Sequence, residues 1–259
     1  FYRINYDETN WKLITEFLNT HDINHIHVLN RAQLIDDAFT LADTGKLNYN
    51  IPLFLSTYME REVEWAPISA FSKALLLLNK MLAAQPEYNL FENYVNKSLS
   101  GAYGHLGFLE GPHDQHSGKL IRISVLNWLC KVGHQECRTK SLNQVRAWKA
   151  NNQSDITPNL ETPVFCGAMR IGNSEDWEFL YQKFIKAVNR KQKFQLLIGL
   201  SCSENKNILN RFLDKVLEDN STLTFIERYS IFTSVSSAGN IGLNTVFDYI
   251  DEHLESLKT

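Results

Sequence analysis

Three stretches in the last third of this 259-residue chain repeat one pattern, and it limits the fold more than any other feature. "IGNSEDWEFLYQKFIKA", "SCSENKNILNRFLDKVLED" and "SAGNIGLNTVFDYIDEHLE" each place a turn-rich lead before an amphipathic helix. Trp177, Leu209 and Leu243 occupy matching positions, 32 and then 34 residues apart, and an apolar residue recurs seven later in each (Phe184, Val216, Ile250). Helix-pair repeats have about this period, because one hairpin cannot bury its apolar face until a neighbour stacks on it. Unrelated amphipathic helices of similar length would give the same spacing. Either origin predicts an all-α fold.

The earlier sequence agrees. In "NRAQLIDDAFTLADTGKL", Ala32, Ile35, Phe39 and Ala42 fall at three- and four-residue steps, and Gly45 follows as a stop. Pro52 suits the first turn of the next helix, and Trp65-Ala66-Pro67 divides the apolar stretch 51–84 in two. "GAYGHLGFLEGPHDQHSGK", 101–119, lacks periodicity and reads as a Gly-rich loop. The opening "FYRINYD" is aromatic-rich and partly alternating, which predicts a β-strand remnant. Residues 1–8 are therefore read as the end of a preceding β-domain or linker, and 9–259 as one helical domain.

A net charge of −3 gives no basic surface for nucleic acid, and no run of 18 apolar residues could span a bilayer. Phe1 follows no charged and apolar leader, so the sequence reads as part of something longer. Chemistry is sparse. His21 and His25 are four apart, but no further ligand or intervening glutamate completes a metal site. His113, Asp114 and His116 lie among Gly and Pro and read as surface loop. Asp36 and Asp37 point about 100° apart on a helix, which is no acid/base pair. There is no H-E-x-x-H, G-x-S-x-G or P-loop. No catalytic and no metal-ligating residue is expected here.

"NWLCKVGHQECRTK" sets Cys130 and Cys137 seven apart around Gly133 and His134. A zinc knuckle lacks a nearby fourth ligand, and a redox pair uses a two-residue spacing. On one straight helix the two cysteines would stand about 10.5 Å apart, too far for a disulfide. A left-handed Gly133 would end one helix and start a hairpin, so the spacing favours a disulfide across a turn, with His134 a loop residue.

Together these residues resemble the C-terminal helical domain of aminopeptidase N-type zinc aminopeptidases. The resemblance rests on Phe1-Tyr2-Arg3-Ile4-Asn5-Tyr6-Asp7 with Asn10-Trp11, on "NRAQLIDDAF", on "VLNWLCKVGHQEC", and on "PNLETPVFCGAMRIGNSEDWEFLYQKF" with "GLSCSENKNILNRFL"; it covers essentially the whole chain. It implies a right-handed α-solenoid of HEAT/armadillo-like helix pairs that closes over an active-site cleft and shapes a peptide-binding cavity. The parent would remove N-terminal residues from peptides. Its catalytic zinc would sit in an earlier domain, leaving no cofactor in this chain. The implied partners are the catalytic and β-sandwich domains of the same chain, the peptide substrate and a protein ligand. Two local disulfides are implied, Cys130–Cys137 and Cys166–Cys202. An extracellular or luminal, membrane-attached parent suits the sequons at Asn96, Asn152 and Asn220, which are glycosylation candidates. Arg31, Asp36 and Asp37 are candidates for an ion-pair network to a neighbouring domain. A receptor or adhesion module of an inactive homologue would share all of this, whereas an unrelated HEAT-repeat scaffold in the cytosol would keep its cysteines reduced.

Two departures stand out. The family's domain continues through further helices, so exposed apolar surface is expected near Phe247 and Ile250. Cys202 stands where some relatives use an arginine to sense a peptide's C-terminus, which puts that role in doubt.

Overall fold

Several helices start on a side chain that takes up an orphan amide group of the first turn, Asp7, Asn173, Asn189, Asn205 and Thr224 among them. The computed structural model describes residues 2–218 and 223–254, with thirteen α-helices and no strand among them. The chain divides into two compact units, Phe1–Val132 and Gly133–Thr259. The first contains α1 (Glu8–Thr20), α2 (Val28–Asp43), α3 (Asn50–Leu55), α4 (Trp65–Leu82), α5 (Tyr88–Leu106) and α6 (His116–Lys131), with 3₁₀ turns at Ile23–His25 and Ser56–Arg61. The second contains α7 (Gln135–Asn151), α8 (Glu161–Ile171), α9 (Ser174–Lys186), α10 (Arg190–Ser201), α11 (Lys206–Leu217), α12 (Phe225–Ala238) and α13 (Asn240–Glu252).

In the first unit α4 packs between α2 and α6, and α5 lies against α6 and the Ser56–Arg61 turn. Gly45 takes φ +71° just after α2, the left-handed stop its position predicts. Pro52 and Pro67 each sit in a first helical turn, where a missing N–H is harmless. The Gly-rich 101–119 stretch is shorter as a loop than its composition predicts, because α5 runs on to Leu106. Gly101 is there for contact. A Cβ on it would stand 2.0 Å from the Glu60 carbonyl oxygen, so only glycine lets α5 meet the 3₁₀ backbone.

The predicted N-terminal strand is not formed: residues 2–7 have no regular secondary structure. A strand needs a ladder partner, and this segment is held by side chains instead. Arg3 and the Ile4 N–H reach Asp37, and the Trp11 indole donates to Asn5 Oδ1 at 3.1 Å.

In the second unit α7, α8, α10 and α12 pack in sequence, while α9 lies on α10 and α11 on α12 and α13. Trp177 and Phe184 of α9 and Leu209 and Val216 of α11 are buried, as the repeat requires. The third repeat has a different register. Leu243 is 39 % exposed, and the buried stripe of α13 is Gly242, Thr245, Val246 and Tyr249. The period is thus 32 and then 33 residues, with Gly242 in place of a bulky residue. The reason is again close approach, since a Cβ at Gly242 would meet the Val235 carbonyl oxygen at 2.1 Å. Phe247 is 61 % exposed, matching the expected apolar surface, and Ile250 is half-buried.

Alanine normally stabilises a helix interior by about 1 kcal/mol relative to glycine. At Gly101 the sign reverses: Gly101→Ala is expected to cost about 1–3 kcal/mol through overpacking, read as a lower urea midpoint at unchanged slope.

Candidate functional site

The aspartates of α2 receive the incoming N-terminal segment. Asp36 and Asp37 are adjacent in sequence and point different ways, yet the Arg3 guanidinium reaches both, at 2.5 Å and 2.8 Å. Asp37 is buried and also accepts from the Ile4 N–H at 3.1 Å and from Gln33 at 2.9 Å. Asp36 takes a further bond from Lys73 of α4 at 3.1 Å. Burial pushes the Asp36 carboxyl up, but the bonds from Arg3 and Lys73 outweigh it and hold the group below the usual carboxylate range. Beside this junction a cleft of about 370 Å³ runs along α2 and α4, with Phe39, Ala74 and Leu77 in its lining.

Arg31, grouped with these aspartates by sequence, faces inward and is committed within its own unit. It is 2 % exposed and pairs with the fully buried Glu62 at 2.7 Å and 3.1 Å. Its remaining nitrogen donates to the carbonyl of Ile23, the first residue of the first 3₁₀ turn, and to that of Ile26, which caps its end. Glu62 Oε1 also accepts the Val63 and Glu64 N–H groups ahead of α4. One ion pair therefore joins α2, the Ile23–His25 turn and the start of α4. A spacing of 31 residues between the partners gave no sequence signal.

The histidines do not gather. His21 stacks on Phe17, and His25 meets the same ring edge-on. Asp114 pairs with Arg122 at 2.5 Å, and that guanidinium, with the Gly111 N–H, holds its carboxyl below the usual range. Among the described residues no three His, Cys, Asp or Glu side chains converge as a metal-binding group.

No cysteine is free: Cys166 is bonded to Cys202, and Cys130 and Cys137 are both disulfide-bonded. Gly133 takes φ +82°. His134 has a role that its loop reading missed, because its Nδ1 accepts the Cys137 N–H at 3.3 Å and caps α7. Two residues after Cys202, Glu204 is held by Arg138 of α7 in a two-bond fork and by Arg170 of α8 at 3.0 Å. Arg170 also donates to the Ala238 carbonyl at the end of α12. The segment after Cys202 thus carries an acidic centre for two arginines of the same unit.

Asn96 lies half-buried in α5, Asn152 is exposed at the C-terminus of α7, and Asn220 lies outside the described residues. Between α10 and α12 a second cleft of about 390 Å³ is lined by Phe184, Phe194, Leu197 and Ile226, with the Lys193–Glu227 pair at 2.6 Å across it.

Arg31→Met would strand a buried carboxylate and is expected to cost about 3–5 kcal/mol by chemical denaturation. Arg31→Met with Glu62→Leu should recover only part of this, because Val63 and Glu64 would lose their acceptor. The His134 cap needs an unprotonated Nδ1. Burial lowers the His134 pKa, more than the Glu136 charge raises it. The unfolded chain then takes the proton first, so the cap's contribution is full above pH about 6.5 and fades as pH falls through the lowered folded value. Urea titrations from neutral pH to about pH 5 should show this slope, flattened by His134→Asn, which keeps a capping acceptor.

The family described as ERAP1-like C-terminal domain matches residues 1–259. Aminopeptidase N of Plutella xylostella is 30% identical over 259 residues, which is 100% of this chain and 27% of that protein. The human thyrotropin-releasing hormone-degrading ectoenzyme is 33% identical over 233 residues, 86% of this chain and 21% of that protein. Membrane alanyl aminopeptidase of Manduca sexta is 27% identical over 256 residues, 98% of this chain and 26% of that protein. The chain thus spans about a quarter of the length of the curated relatives it matches. It belongs to the ERAP1-like C-terminal domain family, as a C-terminal helical domain of aminopeptidase N type.

Proposed function

We propose that this chain is the helical domain of an extracellular zinc aminopeptidase, closing the active-site cleft and shaping the cavity that holds the peptide. The zinc, the attacking water and the general base belong to an earlier domain of the parent. This chain supplies the wall against which the peptide's remaining length is accommodated. The observation that carries the reading is the Arg3–Asp36–Asp37 junction, seen in a chain matched end to end by such a family. A segment entering from a preceding domain is clamped at side-chain and backbone level to α2, which suits a domain whose angle to its neighbour matters. Asp36 and Asp37 thus serve the interdomain role from the linker side. The parent's placement outside the cell is supported by four cysteines with no free thiol and by a relative named an ectoenzyme.

The test uses the full-length parent carrying Arg3→Ala, whose side chain lies outside the core, beside Asp37→Asn. Both should secrete normally and lower kcat/KM for a tetrapeptide by about tenfold, about 1.4 kcal/mol of transition-state stabilisation. A leucyl chromogenic substrate, too short to need the wall, should be affected much less. Equal losses on both substrates would refute the cleft-shaping role. A parent with no zinc-dependent turnover would refute the enzyme reading altogether.

A further inference from the structure

Two sequons fall on described residues, and the structure separates them. Asn96 sits mid-helix in α5 with its carboxamide turned into the protein. Its Nδ2 donates to the Val132 carbonyl at 3.4 Å, and its Oδ1 is buried without a hydrogen-bond partner. Ser98 of the same sequon is 4 % exposed. A sugar on that nitrogen would have to occupy the packed space beside the end of α6.

Asn152 is the opposite case. It closes α7 in the left-handed conformation, φ 55° and ψ 13°, which asparagine tolerates better than most residues. It is exposed, and Gln153 and Ser154 follow outside any helix. Its carboxamide is also oriented. Lys183 Nζ lies over the Trp148 ring at 5.1 Å and the Phe179 ring at 5.2 Å, and reaches Asn152 Oδ1 at 3.3 Å. A lysine ammonium can only donate, so the oxygen must be the atom that faces it. That settles which end of the amide is which and turns Nδ2 away from Lys183. A glycosylated amide keeps its oxygen, so the Lys183 bond and the sugar are compatible.

We infer that Asn152 is the site of an N-linked glycan and that Asn96 is left unmodified in the folded protein. This rests on the extracellular placement proposed above. The donor is a lipid-linked oligosaccharide of the secretory lumen. Asn152 Nδ2 attacks C1 of its first N-acetylglucosamine; the N–C bond forms as the C–O bond to the pyrophosphate breaks. The nitrogen gives up one proton, and the lipid pyrophosphate leaves.

The test expresses the full-length parent with its own targeting segments in a eukaryotic secretory host. Peptides are mapped after enzymatic deglycosylation in heavy-oxygen water, and a non-reduced digest reports the cysteines. The expected result is a labelled Asn152 peptide, an unlabelled Asn96 peptide, and loss of one glycan's mass in Asn152→Gln and in Ser154→Ala. The second variant removes the acceptor sequence while leaving Asn152 and its Lys183 bond in place. Oxidised cysteines with an unmodified Asn152, or a glycan on Asn96 in secreted folded protein, would overturn the assignment alone. Reduced cysteines with no glycan anywhere would overturn both the assignment and the extracellular reading beneath it.

Discussion

The indole of Trp177 shows the constraint on which the second unit depends. It is 2 % exposed, donates to the Leu200 carbonyl of α10 at 3.1 Å and meets the Phe212 ring of α11 edge-on. One side chain of α9 thus needs both following helices to be covered. A helix pair presents more apolar surface than its own partner can hide, so burial is completed only by the next element in line. The same logic explains why aromatic residues recur at this seam, with Tyr181 stacked on Trp177 and packed against Phe184. Large rings bury more area per residue than aliphatic side chains and bridge gaps between helices of unequal spacing.

Where helices must come closer than rings permit, glycine replaces them. Gly101 against the Glu60 carbonyl and Gly242 against the Val235 carbonyl are backbone contacts in which a methyl group has no room. The two devices are complementary: aromatic residues set the wide spacings and glycines the narrow ones. Polar anchoring is reserved for the irregular segments. Arg31 with Glu62, and Arg138 and Arg170 with Glu204, satisfy carbonyls and carboxylates at turns where no helix can supply a partner. Such pairs add little net stability compared with apolar packing, but removing one partner is costly, so they fix loop conformation more than they drive folding.

Much of this was legible in the sequence, for reasons that can be stated. The all-helical class followed from apolar spacing, and the stops at Gly45 and Gly133 followed from what glycine permits. The third repeat misled by one position because pattern reading looks for bulk, and the residue that marks the seam there has none. Gly101 misled for the same reason, since a glycine that enables contact looks like one that enables a turn. Arg31, Asp36 and Asp37 read in the sequence as candidates for an ion-pair network to a neighbouring domain; the partners they have in this chain, Glu62 and Arg3, lie about thirty residues away, and only the fold brings them together. His134 reads as a loop residue in the sequence and is a cap in the fold, a role visible only once α7 is known to begin at Gln135.

The Cys166–Cys202 bond spans 36 residues and encloses the whole of α9. A protease that cuts the exposed turn between α9 and α10, where Val188 is 97 % exposed, would therefore sever the backbone without releasing a fragment. The two pieces would stay tethered through sulfur and held by Trp177 and its neighbours. A domain built this way tolerates a nick as a scar rather than a break, a useful property wherever peptidases are abundant and resynthesis is remote.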